Sequence, residues 1–430
     1  MKENIEKIEK KTVIKSLFWK LFERVGVQGV QFVLSIILAR LVEPSSYGTI
    51  ALLLIFTQFA DVFIQGGLNT ALIQKKDSDD LDFSSTFFLS LGIAGIFYIL
   101  LFFLAPYVSL FFKQPELSHM LRVLASILFF GSFNSIQIAF VSRTMQFNKL
   151  FFSSVGAVVG AGSVGIVLAY NGFGSWALVW QQLIAAFLTT VILWATVKWR
   201  PRFQFSIVRI KELFSFGVKL LFANLISVVF ENIYSIVIGK RFDSSMLGFY
   251  KRGQQFPAFI AKNLDGSIQS VLFPTLSSYK DDTVAVKKIT RRSISLSSFL
   301  LCPLMFGLAA LAKPVVLFLL GEKWLPCVFF LQIGCISYSF FPIHTANLSA
   351  INALGRSDLY LRLEIIKKIV TVFILLVTIP LGIKVMAVGQ LVSLFVSTFI
   401  NAFPNKELLK YPYFEQIKDI FIPFSISFVM

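Results

Sequence analysis

Polar and charged residues set inside long apolar stretches are the ones able to do chemistry in this sequence, because an unpaired polar group in hydrocarbon is costly. They gather on four segments. In 16–41, Lys20, Arg24, Gln28, Gln31 and Ser35 recur at three- and four-residue spacing, one face of a helix. Gln58, Asp61 and Gln65 do the same in 48–72, and Asn224, Ser227, Glu231 and Tyr234 in 214–239. The longest stripe is Lys251, Gln255, Ala258, Lys262, Asp265 and Gln269 in 248–276. Such stripes can pair charges and hydrogen-bond a solute inside a water-filled cavity. Each residue also has a plainer reading: Lys20 and Lys251 can snorkel to the interface, Glu23 and Arg24 can neutralise one another, and the amides can join helices. Four stripes together favour the cavity. His344 with Asn347 can face that cavity, although a hydrogen-bonded histidine within a bundle is the commoner case, and Asn134 with Gln137 share the ambiguity. The sequence shows no nucleophile–base constellation, phosphate loop or metal cluster, so no catalytic or metal-binding residue is expected and the chain reads as a non-enzyme.

The elements that must hold these stripes are membrane spans. Of 430 residues, 56% are hydrophobic and 15% charged, with mean hydropathy +0.76; soluble domains carry about 25% charged residues. Apolar stretches of about 20 residues, enough to cross a bilayer, recur at 16–41, 48–72, 85–111, 119–142, 153–172, 174–197, 214–239, 248–276, 294–319, 327–353, 365–382 and 384–403. The expected fold is all-α and polytopic. A thirteenth span begins near Ile420 and the sequence stops at Met430, which suggests truncation or, less simply, a re-entrant segment. Residues 1–15 read as a charged interfacial segment and not a cleaved signal.

The net charge of +17 lies mostly in connections on one side of the membrane. That side holds Lys75, Lys76, Arg143 and Lys149, Lys198 to Arg202, Lys287 to Arg292, Arg356, Lys367, Lys368, Lys406 and Lys410. The opposite connections are short turns at 43–46, 113–116, 171–174 and 321–323. The asymmetry places the N-terminus in the cytoplasm. Nucleic acid is excluded as a partner, since no polar domain presents a basic face. Cys302, Cys327 and Cys335 sit in apolar spans and read as packing residues.

The chain repeats itself. Arg40-Leu41-Val42-Glu43-Pro44-Ser45-Ser46-Tyr47-Gly48 aligns with Lys240-Arg241-Phe242-Asp243-Ser244-Ser245-Met246-Leu247-Gly248, 200 positions later. Gln182-Leu183, Phe187 and Thr190 align with Gln390-Leu391, Phe395 and Thr398 at an offset of 208. Six spans per half imply parallel repeats about an axis along the membrane normal. The expected domains are 1–200, 201–404 and a partial thirteenth helix at 405–430, with Lys198-Trp199-Arg200-Pro201-Arg202 as linker. Spans one, two, seven and eight would then line one cavity.

The run from Gln31 through Ala39-Arg40-Leu41 to Pro44 and Tyr47-Gly48 resembles the opening of Wzx-type polysaccharide flippases. So do Gly66-Gly67-Leu68, Ala71 to Lys76, Gln114-Pro115-Glu116-Leu117, and Gly174-Ser175-Trp176-Ala177-Leu178-Val179 with Gln181-Gln182. The likeness is to the colanic-acid and teichuronic-acid branch; beyond Gly248 it is carried mainly by pattern. It implies membership of the multidrug/oligosaccharidyl-lipid/polysaccharide exporter superfamily, with two six-helix lobes around a central cavity and alternating access. Flippases of this type move undecaprenyl-diphosphate-linked oligosaccharide from the cytoplasmic to the outer leaflet of the bacterial cytoplasmic membrane.

On that resemblance, Arg24, Lys251 and Lys262 would pair with the diphosphate, and Gln28, Gln31, Gln58, Gln65, Gln255 and Gln269 would hydrogen-bond sugars, beside Asn224. Asp61, Glu231 and Asp265 would couple an ion or balance the cations. No cofactor is expected beyond Na⁺, H⁺ or the membrane potential. The expected partners are the lipid-linked oligosaccharide and membrane lipids, the protein acting as a monomer beside polysaccharide polymerase machinery. The alternative is a cation-coupled multidrug exporter of the same superfamily. A membrane glycosyltransferase or polymerase lacks support, because no sizeable outer loop is present.

Overall fold

The structure, a computed structural model, describes residues 10–65, 67–75 and 78–429. All regular structure among them is helical, and the chain falls into two compact units, Met1–Gly248 and Phe249–Met430.

The first unit contains α1 (Lys10–Leu41), α2 (Pro44–Gln65), α3 (Leu68–Gln74), α4 (Asp80–Phe112), α5 (Glu116–Leu124), α6 (Ile127–Arg143), α7 (Phe147–Tyr170), α8 (Ser175–Thr196) and α9 (Ile207–Arg241). The second contains most of α10 (Ser244–Ser278), then α11 (Thr283–Ala310), α12 (Ala312–Leu319), α13 (Cys327–Ser339), α14 (Phe341–Ala353), α15 (Ser357–Thr378), α16 (Ile383–Ala402), α17 (Asn405–Leu408) and α18 (Tyr413–Val429). Helices occupy each expected span. Among the described residues, nine helical runs are long and apolar enough to cross a membrane. The runs α10 and α15 are not among them: α10 carries Lys251, Arg252, Lys262 and Asp265, and α15 carries Arg362, Glu364, Lys367 and Lys368.

Several spans are broken for local reasons. The span at 48–72 divides into α2 and α3 where Gly67 takes φ +93°, a conformation open to glycine. The span at 327–353 divides at Phe340, with Pro342 in the first turn of α14 where its missing N–H costs nothing. The segment expected from Ile420 is helical from Tyr413. Helix α4 starts earlier than its apolar run, at a capping box: the Asp79 side chain accepts from the Asp82 N–H, and the Asp82 side chain accepts from the Asp79 N–H.

Small residues bring helices of the first unit together. A Cβ at Gly160 would lie 2.6 Å from Leu188 Cδ1 on α8, and one at Gly162 only 2.2 Å from Leu34 Cδ1 on α1. Glycines therefore let α7 fit between α1 and α8.

The expected linker is not a free tether. The Arg202 N–H donates to Ser84 Oγ at 3.0 Å and the Ser206 N–H to Ser85 Oγ at 3.0 Å, both on α4. Trp199 is buried against Phe83 and donates its indole N–H to Asp80. The linker and α9 thus group with the first unit, whereas the division expected from the sequence lies at residue 200. One division reflects packing and the other reflects sequence similarity, and the two need not coincide.

In the second unit, α18 packs on α11. Gln416 of α18 and Asn347 of α14 exchange hydrogen bonds at 2.7 and 3.2 Å, and Asn405 donates to Asn347 Oδ1 at 2.6 Å. All three amides are fully buried. Arg291 of α11 adds an ion pair to Asp419 at 2.6 Å. His344 accepts or donates at 2.9 Å with Asn401 and stacks on Phe341, so it serves the packing of this unit. Asn134 and Gln137 likewise donate to the Ala186 and Trp199 carbonyls, at 3.3 and 3.2 Å. The three cysteines are buried.

Candidate functional site

In the first unit, α1 turns Trp19, Gly26 and Leu34 toward α7. At about 100° per residue, Gln28, Gln31 and Ser35 fall on the opposite side, where Gln28 is half-buried and Gln31 exposed. The stripe is therefore left off the α1–α7 packing surface. Arg24 lies in α1, but its side chain is outside the described set, as is that of Lys20.

The stripes of α2 and α9 meet at one point. Asn232 Nδ2 donates to Gln58 Oε1 at 3.3 Å. Asn232, buried and absent from the stripe read in the sequence, is thus the partner that the spacing missed. One turn on from Gln58, Asp61 accepts from Gln65 Nε2 through both oxygens, at 2.9 and 2.8 Å. Asn224, Ser227 and Glu231 of α9 are exposed, while Tyr234 is buried.

At one end of this helix pair stands an ion cluster. Lys75 bridges Asp82 at 2.9 Å and Glu212 at 3.2 Å, while Arg209 reaches Asp79 at 3.4 Å and Asp82 at 3.9 Å. Asp82 is wholly buried. Burial works against the Lys75 charge, but its hydrogen bonds to Asp82 and Glu212 outweigh that and raise it above the ordinary lysine value. Burial likewise opposes the Asp79 charge, yet the Asp82 N–H and the Arg209 guanidinium hold Asp79 below the usual carboxylate range. Arg143 donates to the Leu72 and Lys75 carbonyls at 3.0 and 2.6 Å, tying down α3. The signal for this cluster was the acidic run Asp77 to Asp82 on an otherwise basic side.

The other end is closed by backbone. A Cβ on Gly48 would lie 1.8 Å from the Ser244 carbonyl oxygen, and one on Gly248 would lie 2.0 Å from the Pro44 carbonyl oxygen. These are the two matched segments of the repeat, meeting reciprocally at the starts of α2 and α10. Beside them Lys240 Nζ donates to the Phe111 carbonyl at 2.5 Å and sits 4.0 Å over the Phe111 ring.

Between the two ends, an apolar fissure of about 320 Å³ opens among α2, α4 and α9, walled by Phe63, Ile93, Phe97, Val218 and Leu221. Its dimensions and lining suit hydrocarbon.

In the second unit, the α10 stripe is part engaged and part open. Gln255, itself exposed, accepts from Arg252 Nη1 at 2.7 Å. Asp265 accepts from Gln269 Nε2 at 3.4 Å, and Gln269 in turn accepts from the Ser349 hydroxyl. Lys251 is half-buried and Lys262 is exposed. Among the described residues no group of three His, Cys, Asp or Glu side chains could hold a metal ion.

These helices and stripes define the class. The protein is a multi-pass helical membrane protein with the fold of the lipid II flippase MurJ in an inward closed conformation: TM-score 0.74 at 15% identity, over 97% of this chain and 92% of that one. A multidrug resistance MATE family transporter of the MOP superfamily, inward-facing, gives a TM-score of 0.66 at 13% identity, over 88% and 94%. Residues 37–329 match the family model described as polysaccharide biosynthesis protein, and the chain belongs to that family. It is 28% identical over 322 residues to the succinoglycan biosynthesis transport protein ExoT of Rhizobium meliloti (strain 1021), covering 74% of this chain. It is 24% identical over 313 residues to the teichuronic acid biosynthesis protein TuaB of Bacillus subtilis (strain 168), covering 70%. The matches span 64% and 63% of the length of those two relatives.

Proposed function

We propose that this protein is a flippase that moves undecaprenyl-diphosphate-linked oligosaccharide from the cytoplasmic to the outer leaflet by alternating access, and that it is not an enzyme. The observation that carries the proposal is a fold shared with a lipid II flippase over nearly the whole chain, in a member of a polysaccharide biosynthesis family. The physical need is plain, since the diphosphate and hydroxyls of such a lipid would enter hydrocarbon unpaired.

In this reading Arg24, Lys251 and Lys262 pair with the diphosphate. The amides of Gln28, Gln31, Gln58, Gln65, Asn224, Gln255 and Gln269 serve the sugars, while the polyprenyl tail stays in lipid. Outward movement of an anion is favoured by roughly 2.3 kcal/mol per charge per 100 mV when the cytoplasm is negative. Asp61, Glu231 and Asp265 are the residues proposed to couple Na⁺ or H⁺, or to balance the cations. The protein works as a monomer in the bacterial cytoplasmic membrane, N-terminus inside, beside the polysaccharide polymerase machinery.

The deciding experiment reconstitutes the full chain with lipid-linked oligosaccharide from its source cell and follows exposure in each leaflet. Protein-dependent transfer is expected. Efflux of cationic drugs with no lipid transfer would instead support the multidrug exporter, the second reading that the MATE-like fold favours.

A further inference from the structure

The apolar fissure among α2, α4 and α9 is open on one side. Ile96 of α4, with Phe214 and Phe222 of α9, line it and are exposed. Nearby on α4, a Cβ at Gly92 or Gly95 would meet nothing within 4 Å. At about 320 Å³ the fissure falls inside the roughly 300–1,000 Å³ range of small-molecule sites. At membrane depth an apolar space of this kind is filled by hydrocarbon and not by water.

Its depth is set by α9. The lining face of that helix carries Phe214, Val218 and Leu221; followed back at the same three- and four-residue steps, it carries Lys211 and Ile207. From Lys211 to Leu221 is about 15 Å of helix, half of a hydrocarbon core of about 30 Å. The fissure therefore serves one leaflet. By the charge asymmetry, that leaflet is the cytoplasmic one.

Lys211 stands at headgroup level, one turn before Phe214. It is exposed and makes no ion pair among the described residues. The carboxylates at this end are already engaged: Asp82 and Glu212 by Lys75, Asp79 by Arg209, and Asp80 by Arg202 at 3.6 Å. Lys211 is thus a surplus cation. Beside it Phe203, Ile207 and Val208 are exposed, Phe203 to 98%. Apolar side chains next to a cation suit a lipid interface. We infer that the fissure binds an anionic phospholipid of the cytoplasmic leaflet, one acyl chain between α4 and α9 and the phosphate on Lys211. A zwitterionic headgroup brings its own cation and gains less from this lysine. A polyprenyl chain is much longer than one leaflet and overruns the fissure, so the occupant differs from the lipid proposed to be carried. The inference rests on the membrane fold and its orientation, and not on the flippase reading.

The test counts bound lipid. Purified full chain in a delipidating detergent is titrated with dioleoyl phosphatidylglycerol and, separately, dioleoyl phosphatidylcholine, and followed by native mass spectrometry. The first phosphatidylglycerol should bind about fivefold tighter than phosphatidylcholine, the worth of one basic residue toward an anionic lipid. Lys211→Gln, an exposed change, should erase that preference, and Lys211→Arg should restore it. Val218→Trp, which fills the fissure, should weaken both lipids by about tenfold. If that variant does not fold, the two Lys211 variants decide alone. The site is overturned if the wild-type chain binds both lipids equally, if Lys211→Gln keeps the preference, or if folded Val218→Trp binds as wild type does. Displacement of the bound phosphatidylglycerol by equimolar undecaprenyl diphosphate would give the fissure to the carried lipid and overturn it as well.

Discussion

Lys262 has few constraints from packing: it is exposed on α10, and its neighbours on the stripe, Gln255 and Asp265, already hold partners of their own. A cation so placed is available to a solute. Replacing both Lys262 and Arg24 by Gln should slow transfer of a diphosphate lipid by roughly ten- to a hundredfold, the worth of one or two charge-assisted hydrogen bonds. Export at unchanged rate with equal expression would remove both residues from the site. The ion cluster behaves differently with pH. Asp79 is depressed, so its contribution to stability is complete above about pH 4 and is lost as pH falls through its lower folded value. Lys75 is raised, so its contribution is complete below about pH 10 and is lost as pH rises through its higher folded value. Thermal unfolding between about pH 5 and 9 should therefore show no titration from Asp79 or Lys75. Asp82→Asn should lower stability by about 1–3 kcal/mol across that window, since it strips buried Asp82 of the charge that Lys75 and Arg209 share. A midpoint equal to wild type would show that the cluster is only superficial.

At the scale of elements, the contact between the starts of α2 and α10 depends on two missing side chains. Gly48→Val or Gly248→Val places carbon within about 2 Å of a carbonyl oxygen, so the helix starts must separate. Overpacking costs of about 1–3 kcal/mol should appear as transport reduced by roughly tenfold at equal expression, and normal transport would mean that this contact is dispensable. The positions of the helices were legible because twelve apolar stretches are long and evenly spaced, and period alone suffices there. The breaks at Gly67 and Phe340 were not, since each turns on one backbone conformation within an unbroken apolar run. The stripes were legible as faces, but which face meets what was not: Asn232, one position past Glu231, is the residue that bonds Gln58. The cluster of Lys75 with Asp82 and Glu212 joins residues 137 apart, beyond any local spacing. Among the second-rank polar residues, which the sequence left between cavity and packing, His344, Asn347, Asn134 and Gln137 all bond within their own unit.

For the molecule as a whole, the charge asymmetry makes an orientation that can be measured. Single cysteines replacing Lys113 and Lys288, in a background without Cys302, Cys327 and Cys335, should react oppositely with an impermeant maleimide added to intact cells: Lys113→Cys labelled, Lys288→Cys protected until lysis. The reverse pattern would invert the topology and with it the direction of transport. The repeat read at an offset of 200 describes sequence, while the compact units end at Gly248 because the linker is bonded to α4.

The amides of Asn347, Asn405 and Gln416 set an order on biosynthesis. Gln416 lies 69 residues after Asn347, in the fourth helix after α14, so the partners of the Asn347 amide are met only when α18 has been made. Until then the Asn347 amide keeps the Ile343 carbonyl and lacks Asn405 and Gln416. Arrival of α18 ends that interval by bringing Gln416 to Asn347.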